Sequence, residues 1–177
     1  MDLIVSPDAT GTSGFLSFDA GKVRCALGRG GVVAATDKRE GDGATPAGEW
    51  PLRRGHYRPD RQQKPPSALA FSPLSETDGW CDWPSDPRYN QPVALPYDAR
   101  CEAMWREDHL YDLMVVLGHN DDPPVPGLGS AIFFHLAHDD YRPTEGCIAV
   151  AAPDMLTILS QCSPESRLIV LGSAELG

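Results

Sequence analysis

The chain has 177 residues, of which 41% are hydrophobic, so residues 1–177 are long and apolar enough for one domain with a single core. Its 25 acidic residues outnumber the 15 basic ones and give a formal net charge of −10. Such a surface repels phosphate backbones and anionic lipid, so a nucleic-acid partner is not expected. The 17 glycines and 17 prolines suit many short strands joined by turns, which favours a mostly β fold.

The start of the chain and the cysteines bear on where the protein acts. Residues 3–5 are apolar, but Ser6 and Pro7 end the run, so no secretory leader is predicted. No apolar run reaches the length of a membrane span, and the sequence alone predicts a soluble, unexported protein. Five cysteines without regular spacing argue against a full disulfide framework, and they leave one bridge open if the protein is exported.

Four short segments near the N-terminus have the alternation and the glycine-rich breaks of hairpin strands. They are residues 3–5, 14–18, 23–27 and 32–35. Residues 36–48 contain several glycines and the pair Thr45-Pro46, which together predict a turn-rich loop. Extended structure is then expected to resume at residues 50–52.

Residues 53–95 are polar and rich in proline, and a stretch of this length is either a functional lid or a linker. Trp80 and Trp83 favour a lid, because a linker gains nothing from tryptophans. We therefore predict a lid-like insertion that packs on the rest of the domain.

One or two short helices are predicted in the second half of the chain. Residues 98–106 form the first candidate, with Met104 and Trp105 toward the core and acidic residues early. The second begins near Pro153, which suits a first helical turn and precedes apolar residues at helical spacing. Buried strands are predicted at residues 113–117 and 167–171.

The stretch from Gly129 to Val150 contains the residues most suggestive of chemistry. Residues 131–134 form a short apolar run that predicts a buried strand ending at His135. A loop follows, and then Gly146 and Cys147. Gly146 permits a turn that a residue with a Cβ would resist, and it leaves the approach to the sulfur open. A free thiol has a pKa of about 8.5 and needs a base to act as a nucleophile, which the imidazole of His135 can supply.

Other interpretations of these residues remain open on the sequence alone. Cys147 can be a small buried hydrophobic residue, with His135 satisfied at the end of its strand. His135, His138 and Cys147 can also be read as three zinc ligands, but their spacing fits no paired zinc signature. The set of Cys81, His119 and Asp121 is no stronger, and no metal site is predicted.

The flanking residues of this stretch resemble those of the YkuD-like L,D-transpeptidases. The resemblance rests on Phe134-His135 and on the Thr144-Glu145-Gly146-Cys147 turn with its apolar tail. It extends over about residues 22–171 through further segments: Gly28-Arg29-Gly30-Gly31, residues 40–48, Asp78-Gly79-Trp80-Cys81-Asp82, Tyr89-Asn90, Tyr111-Asp112 and Gly127-Leu128-Gly129-Ser130. These segments look like one proteobacterial branch of the family. Two residues depart from the better-known branch, which carries His at position 145 and Arg or Asn at position 149, where this chain has Glu145 and Ala149.

The resemblance implies a β-sandwich of mixed sheets that acts on peptidoglycan stem peptides or muropeptides without a metal or organic cofactor. It implies that Cys147 is the nucleophile and His135 the general base, with the N–H groups of Gly146 and Cys147 as the oxyanion site. We expect Glu145 to face His135 or an incoming amine. Residues expected to contact substrate are Trp80, Tyr111, Asn120, Ser130, His138, Thr144 and Glu145.

The resemblance further implies inhibition by carbapenems and a place in the periplasm or cell envelope, which conflicts with the lack of a predicted leader. A monomer is expected. Two alternatives stay open at this point: an L,D-carboxypeptidase that uses water as acceptor, and a non-catalytic β-sandwich that binds cell wall.

Overall fold

A computed structural model describes residues 1–172, and these contain thirteen β-strands and one α-helix. The elements in chain order are β1 Asp2–Pro7, β2 Ser13–Phe18, β3 Gly21–Ala26, β4 Val32–Ala34, β5 Thr45–Tyr57, β6 Phe71–Pro73, β7 Asp78–Cys81, β8 Pro92–Ala94, β9 Cys101–Ala103, β10 Leu113–Leu117, β11 Phe133–Leu136, β12 Ile148–Val150, α1 Ala152–Leu159 and β13 Arg167–Val170. The predicted mostly β fold is confirmed.

Ten of these strands form one sheet that closes on itself. Its order is β10-β11-β12-β3-β2-β1-β13-β5-β4, and β6 adds to β5. Because β10 also pairs with β5, eight strands make a barrel-like ring. The predicted mixed pairing is present, since β1 runs parallel to β13 and β11 parallel to β12, while most other pairs are antiparallel. The layers expected of a sandwich are therefore opposite walls of one closed sheet.

Strand β5 joins several parts of this sheet. Residues 45–47 pair with β4, residues 48–51 with β13 and residues 52–57 with β10. The strand begins at Thr45, so the loop predicted over residues 36–48 is shorter than expected. Gly48, with φ of +141°, lets the strand turn from one set of neighbours to the next.

The main core fills the closed sheet. Strand β10 contributes Leu113, Val115 and Leu117 to it, as alternation along a strand requires. Helix α1 covers part of this core with its buried residues Met155 and Ile158. A Leu, Ile or Met side chain that is fully buried contributes about 1.5–3 kcal/mol relative to an exposed one, so this cluster dominates the stability of the fold.

A second cluster lies outside the ring, between its wall and a small sheet of order β8-β7-β9. The other residues of β10, Met114 and Val116, face this cluster, which explains why every residue of β10 is buried. Trp80 of β7 meets the ring of Phe133 edge-on, with 5.2 Å between ring centroids. The insertion predicted at residues 53–95 thus begins in the main sheet with β5 and β6 and continues into the small sheet. Trp83 does not pack as expected, because it is 45% exposed.

The helix predicted at residues 98–106 is wrong. Residues 101–103 form β9, which pairs antiparallel with β7, and turns flank it. Met104 is buried as predicted, whereas the guanidinium of Arg58 lies 3.7 Å from the ring centroid of the partly buried Trp105. Pairing with a distant strand outweighs the local helical pattern here. The predicted helix near Pro153 is confirmed, with a proline in its first turn.

Candidate active site

The parallel strands β11 and β12 place His135 and Cys147 on one face of the sheet. In their register Phe134 lies beside Ile148 and His135 beside Ala149. Phe134 and Ile148 point into the main core. Because side chains alternate along a strand, His135, Ala149 and the residue two before it, Cys147, face the opposite side. There all three line a single cavity of about 760 Å³.

The turn before Cys147 is tightly determined. The hydroxyl of Thr144 donates to the Cys147 carbonyl at 2.7 Å and accepts the Gly146 N–H at 3.1 Å. Gly146 has φ of +127°, and a Cβ there would lie 2.8 Å from the Ala44 carbonyl oxygen. Only glycine fits this position without a shift of the backbone. The Gly146 N–H, expected in the oxyanion site, is already occupied by Thr144.

The sulfur of Cys147 is held between two backbone groups. Its thiol donates to the Ala131 carbonyl at 3.2 Å and accepts the Phe133 N–H at 3.3 Å. Ala131 has a left-handed φ of +53°, and its own N–H donates to Asn90 Oδ1 at 3.0 Å. A left-handed backbone is strained at a residue other than glycine, and it persists only where surrounding contacts hold it in place. Cys147 is 8% exposed, so the approach to its sulfur is narrower than expected from the sequence.

Burial decides the protonation of both residues. It raises the pKa of the Cys147 thiol to about 12, a shift increased by the Glu102 carboxylate and opposed by the Phe133 N–H. Burial likewise lowers the pKa of the His135 imidazole to about 4. At neutral pH the thiol is therefore protonated and the imidazole uncharged.

The tautomer of His135 follows from its hydrogen bond. Nδ1 lies 2.8 Å from the Leu136 carbonyl oxygen, which can only accept, so Nδ1 carries the proton. The lone pair is then on Nε2. The ring of Tyr111 meets the imidazole edge-on, with 5.3 Å between centroids, and restricts its rotation. In this arrangement Nε2 of His135 has a fixed orientation and can accept a proton.

An ionic cluster lines the same cavity, and two of its residues, Glu102 and Arg106, were not found by the sequence analysis. Tyr111 donates its hydroxyl proton to Glu102 at 2.5 Å, and Arg106 lies 3.4 Å from the same carboxylate oxygen. Burial raises the pKa of Glu102 and that of Tyr111. Glu102 and Arg106 are four residues apart in the stretch predicted as a helix. In a helix, opposite charges at this spacing indicate a face exposed to solvent. The signal that marks Glu102, the pairing of its strand with β7, lies elsewhere in the chain.

The cavity wall is more basic than the protein as a whole. Its basic residues are Arg29, Lys38, Arg100, Arg106 and Arg142, and its acidic residues are Glu40, Asp82, Glu102 and Glu145. Three of these cations pair with acidic residues of the same wall, since Arg29 contacts Glu145, Arg100 contacts Asp82 and Arg106 contacts Glu102.

Most of the predicted substrate residues line this cavity, namely Tyr111, Ser130, His138, Thr144 and Glu145. Two do not. Trp80 is buried and donates through Nε1 to Asn90 at 2.9 Å. Asn120 braces its own loop by donating to the carbonyls of Val125 and Gly129. Both residues support the structure around the cavity.

Glu145 and His138 have partners at the edge of the cavity. Arg29 Nε lies 2.9 Å from both carboxylate oxygens of Glu145, whose side chain is 76% exposed. The carboxylate therefore faces Arg29, and the expectation that it faces His135 is wrong. Arg142 donates to Nδ1 of His138 at 3.0 Å, which places the lone pair of that imidazole on Nδ1.

Comparison with protein-family models gives a match over most of the chain. The family model for the L,D-transpeptidase catalytic domain, YkuD, matches residues 10–170. The chain belongs to this family. Membership implies an enzyme of the L,D-transpeptidase class with peptidoglycan peptides as substrates, and the family is typically associated with the cell envelope. A search of curated proteins and a search of solved structures each found no match.

Two further features bear on the setting of this L,D-transpeptidase domain. Within residues 1–172, no helix is both long and apolar enough to cross a membrane. In the same part of the chain, no three His, Cys, Asp or Glu side chains are grouped so that they could hold a metal ion.

The neutral state of the pair predicts the pH dependence of thiol reactivity. Alkylation of Cys147 by iodoacetamide should accelerate about tenfold per pH unit from about pH 6 to about pH 10, because only the thiolate reacts and its fraction grows until the pKa. Peptide mass spectrometry follows Cys147 separately from the other cysteines. His135→Gln should keep the same slope. A plateau below about pH 8 that this variant abolishes would instead reveal a preformed thiolate–imidazolium pair.

Gly146→Ala tests the turn. We expect a lower Tm and a loss of about tenfold or more in Cys147 alkylation, since the added Cβ must displace the backbone that carries the sulfur. Gly127→Ala is the matched control: Gly127 has φ of +82°, but a Cβ there meets nothing within 4 Å. It should cost stability and leave the alkylation rate unchanged. Equal effects of both variants on alkylation would refute the role of the Ala44 contact.

Proposed function

We propose that this protein is an L,D-transpeptidase that cross-links peptidoglycan stem peptides, or exchanges their terminal residues, through a thioester on Cys147. The observation that carries the proposal is the placement of Cys147 and His135 on one face of β11 and β12, in one cavity, with the lone pair of His135 on Nε2. A thiol and a fixed base in one cavity are the minimum for acyl transfer by a cysteine.

The first step joins the sulfur to the donor carbonyl. Because thiol and imidazole are both neutral at rest, the proton leaves Sγ for His135 as the carbon–sulfur bond forms. The resulting imidazolium is disfavoured by burial, so it readily returns its proton to the leaving amine. The terminal residue departs, and the thioester remains on Cys147.

The developing oxyanion needs a hydrogen-bond donor near the sulfur. Thr144 occupies the Gly146 N–H, which leaves the Cys147 N–H as our candidate. Thr144 also donates to the Cys147 carbonyl and so fixes the orientation of the peptide unit that follows. The hydroxyl thereby orients the nucleophile.

The second step transfers the acyl group to an amine. Peptidoglycan acceptors present an ammonium group, and Glu145 lies at the cavity edge with a largely exposed carboxylate. Its ion pair with Arg29 is exposed and therefore weak, so an incoming ammonium can compete for the carboxylate. The ammonium first releases one proton to solvent and becomes a neutral amine. His135 takes a second proton as the amine nitrogen bonds to the thioester carbon, and it passes that proton to Sγ as the carbon–sulfur bond breaks, which restores the Cys147 thiol.

The acceptor separates transpeptidation from hydrolysis. Incubation of the enzyme with a tetrapeptide stem substrate, with and without an added D-amino acid, should yield an exchanged tetrapeptide only when the amine is present. Product analysis by mass spectrometry decides the matter. Release of the tripeptide at the same rate in both samples would make the protein an L,D-carboxypeptidase, and a folded protein whose Cys147 accepts no acyl group would favour a wall-binding module.

Substitutions of the catalytic pair test the proposed roles. Cys147→Ala should abolish both the carbapenem adduct, seen as an increase in intact mass, and turnover. His135→Gln should slow acylation by roughly 10²–10⁴, the effect of losing a general base. His138→Gln should cost less, because His138 lies at the cavity edge beside Arg142.

Two other cysteines provide the control. Cys25 and Cys162 are buried in the main core, away from the cavity, so Cys25→Ala and Cys162→Ala should still form the adduct. Tm measurements establish that each variant is folded. Loss of the adduct in either folded variant would overturn the assignment of Cys147, and a greater loss with His138→Gln than with His135→Gln would move the base.

Glu145→Gln should impair transfer to an amine more than acylation by a carbapenem, since acylation involves no acceptor. Both rates are measured on one preparation. Arg29→Gln is the matched control: it removes the partner and leaves the carboxylate free, so transfer should be unchanged or faster. If Arg29→Gln reproduces the defect of Glu145→Gln, the ion pair is structural and Glu145 does not hold the acceptor.

A further inference from the structure

Two cysteines outside the catalytic pair face each other across the small sheet. Cys81 is the last residue of β7 and Cys101 the first of β9, and the antiparallel register places them directly opposite one another. Both are free thiols. Neither has a role in the chemistry proposed for Cys147.

The hydrogen bonds of the two strands fix the kind of pair they form. Met104 N–H donates to the Asp78 carbonyl at 2.9 Å, and Asp82 N–H donates to the Arg100 carbonyl at 3.3 Å. Hydrogen-bonded and non-hydrogen-bonded pairs alternate along an antiparallel ladder, so Cys81 and Cys101 form a non-hydrogen-bonded pair. Cα atoms in such a pair are about 4.5 Å apart with side chains on one face. A disulfide requires about 4.4–6.8 Å, so the backbone spacing accommodates a bridge.

The two thiols differ in access. Cys81 is fully buried, whereas Cys101 is partly exposed and lines the active-site cavity. A reagent in the cavity therefore meets Cys101 first, and Cys81 can react only with a group already attached to Cys101. Burial, and next the neighbouring Cys81, raise the pKa of Cys101 to about 11, so its thiolate is scarce and the first attack is slow.

The geometry points to Cys81 and Cys101 as a dithiol modification site that takes a small-molecule disulfide from the cavity and becomes a cross-strand disulfide. The Cys101 thiolate attacks one sulfur of the reagent, the reagent's S–S bond breaks, and one thiol departs. The Cys81 thiolate then attacks the Cys101 sulfur and displaces the second thiol. One disulfide replaces another, and the two protons lost by the cysteines go to the two released thiols.

The bridge would tie β9, which lines the cavity, to its neighbour β7. Glu102 follows Cys101 directly and accepts the hydroxyl of Tyr111, whose ring contacts His135. A covalent link between β7 and β9 would hold this carboxylate in place. The site is independent of the proposed function, because it requires only the thiols and the cavity.

Bis(2-hydroxyethyl) disulfide is a suitable probe, since it is small and uncharged. The folded chain carrying Cys147→Ala, which removes the competing nucleophile, is incubated with it at about pH 8.5. Intact mass should fall by two hydrogens, and a non-reducing digest should contain the peptide of Cys81 joined to that of Cys101. Tm should rise by roughly 5 °C, because the bridge closes a loop in the unfolded chain. A digest without this linked peptide would overturn the proposal.

Single variants separate the two steps. With Cys81→Ala added, the reaction should stop at a mixed disulfide, and Cys101 should carry one hydroxyethylthio group. With Cys101→Ala added, Cys81 should remain unmodified in the folded protein. Cys25→Ala and Cys162→Ala should leave the linked peptide unchanged. Modification of Cys81 in the absence of Cys101, or a mixed disulfide that persists on Cys101 when Cys81 is present, would contradict the proposed order.

Discussion

The parallel pairing of β11 with β12 is the constraint on which the site depends. Its register brings His135 beside Ala149 and so sets Cys147 on the same face of the sheet. Parallel strands need a connection that crosses back over the sheet, and the connection here carries His138 and the Thr144 turn to the cavity edge. A one-residue slip in this register would turn Cys147 into the main core.

Burial limits the reactivity of the site at rest. Cys147 and His135 are packed among aromatic rings and backbone groups, and each is held in its neutral form. A charged pair in the same place would need compensation that the described residues supply only in part, since the carboxylate of Glu102, which lines the same cavity, opposes a thiolate. Reactivity then depends on what enters the cavity.

The sequence predicts those features that are encoded locally. His135 at the end of an apolar run and Gly146 before Cys147 can be recognised from the sequence, because strand alternation and a glycine turn depend on near neighbours. The role of Glu102 cannot be recognised in this way, since its surroundings come from β7 and Tyr111. Glu145 shows the same limit: the sequence marks it as unusual, but its partner Arg29 lies at the other end of the chain.

The closed sheet has a consequence for how the chain assembles. The first and last strands described, β1 and β13, are parallel neighbours, and β13 also pairs with β5. The carbonyl of Ala44, just before β5, is the atom that Gly146 packs against. During synthesis the edges of β1 and β5 that pair with β13 therefore stay unpaired until β13 has been made. Unpaired edges of this kind template association between chains. The contact between Ala44 and the turn at Gly146 likewise joins segments that are distant in sequence, and non-local contacts of this kind are typical of slow folding.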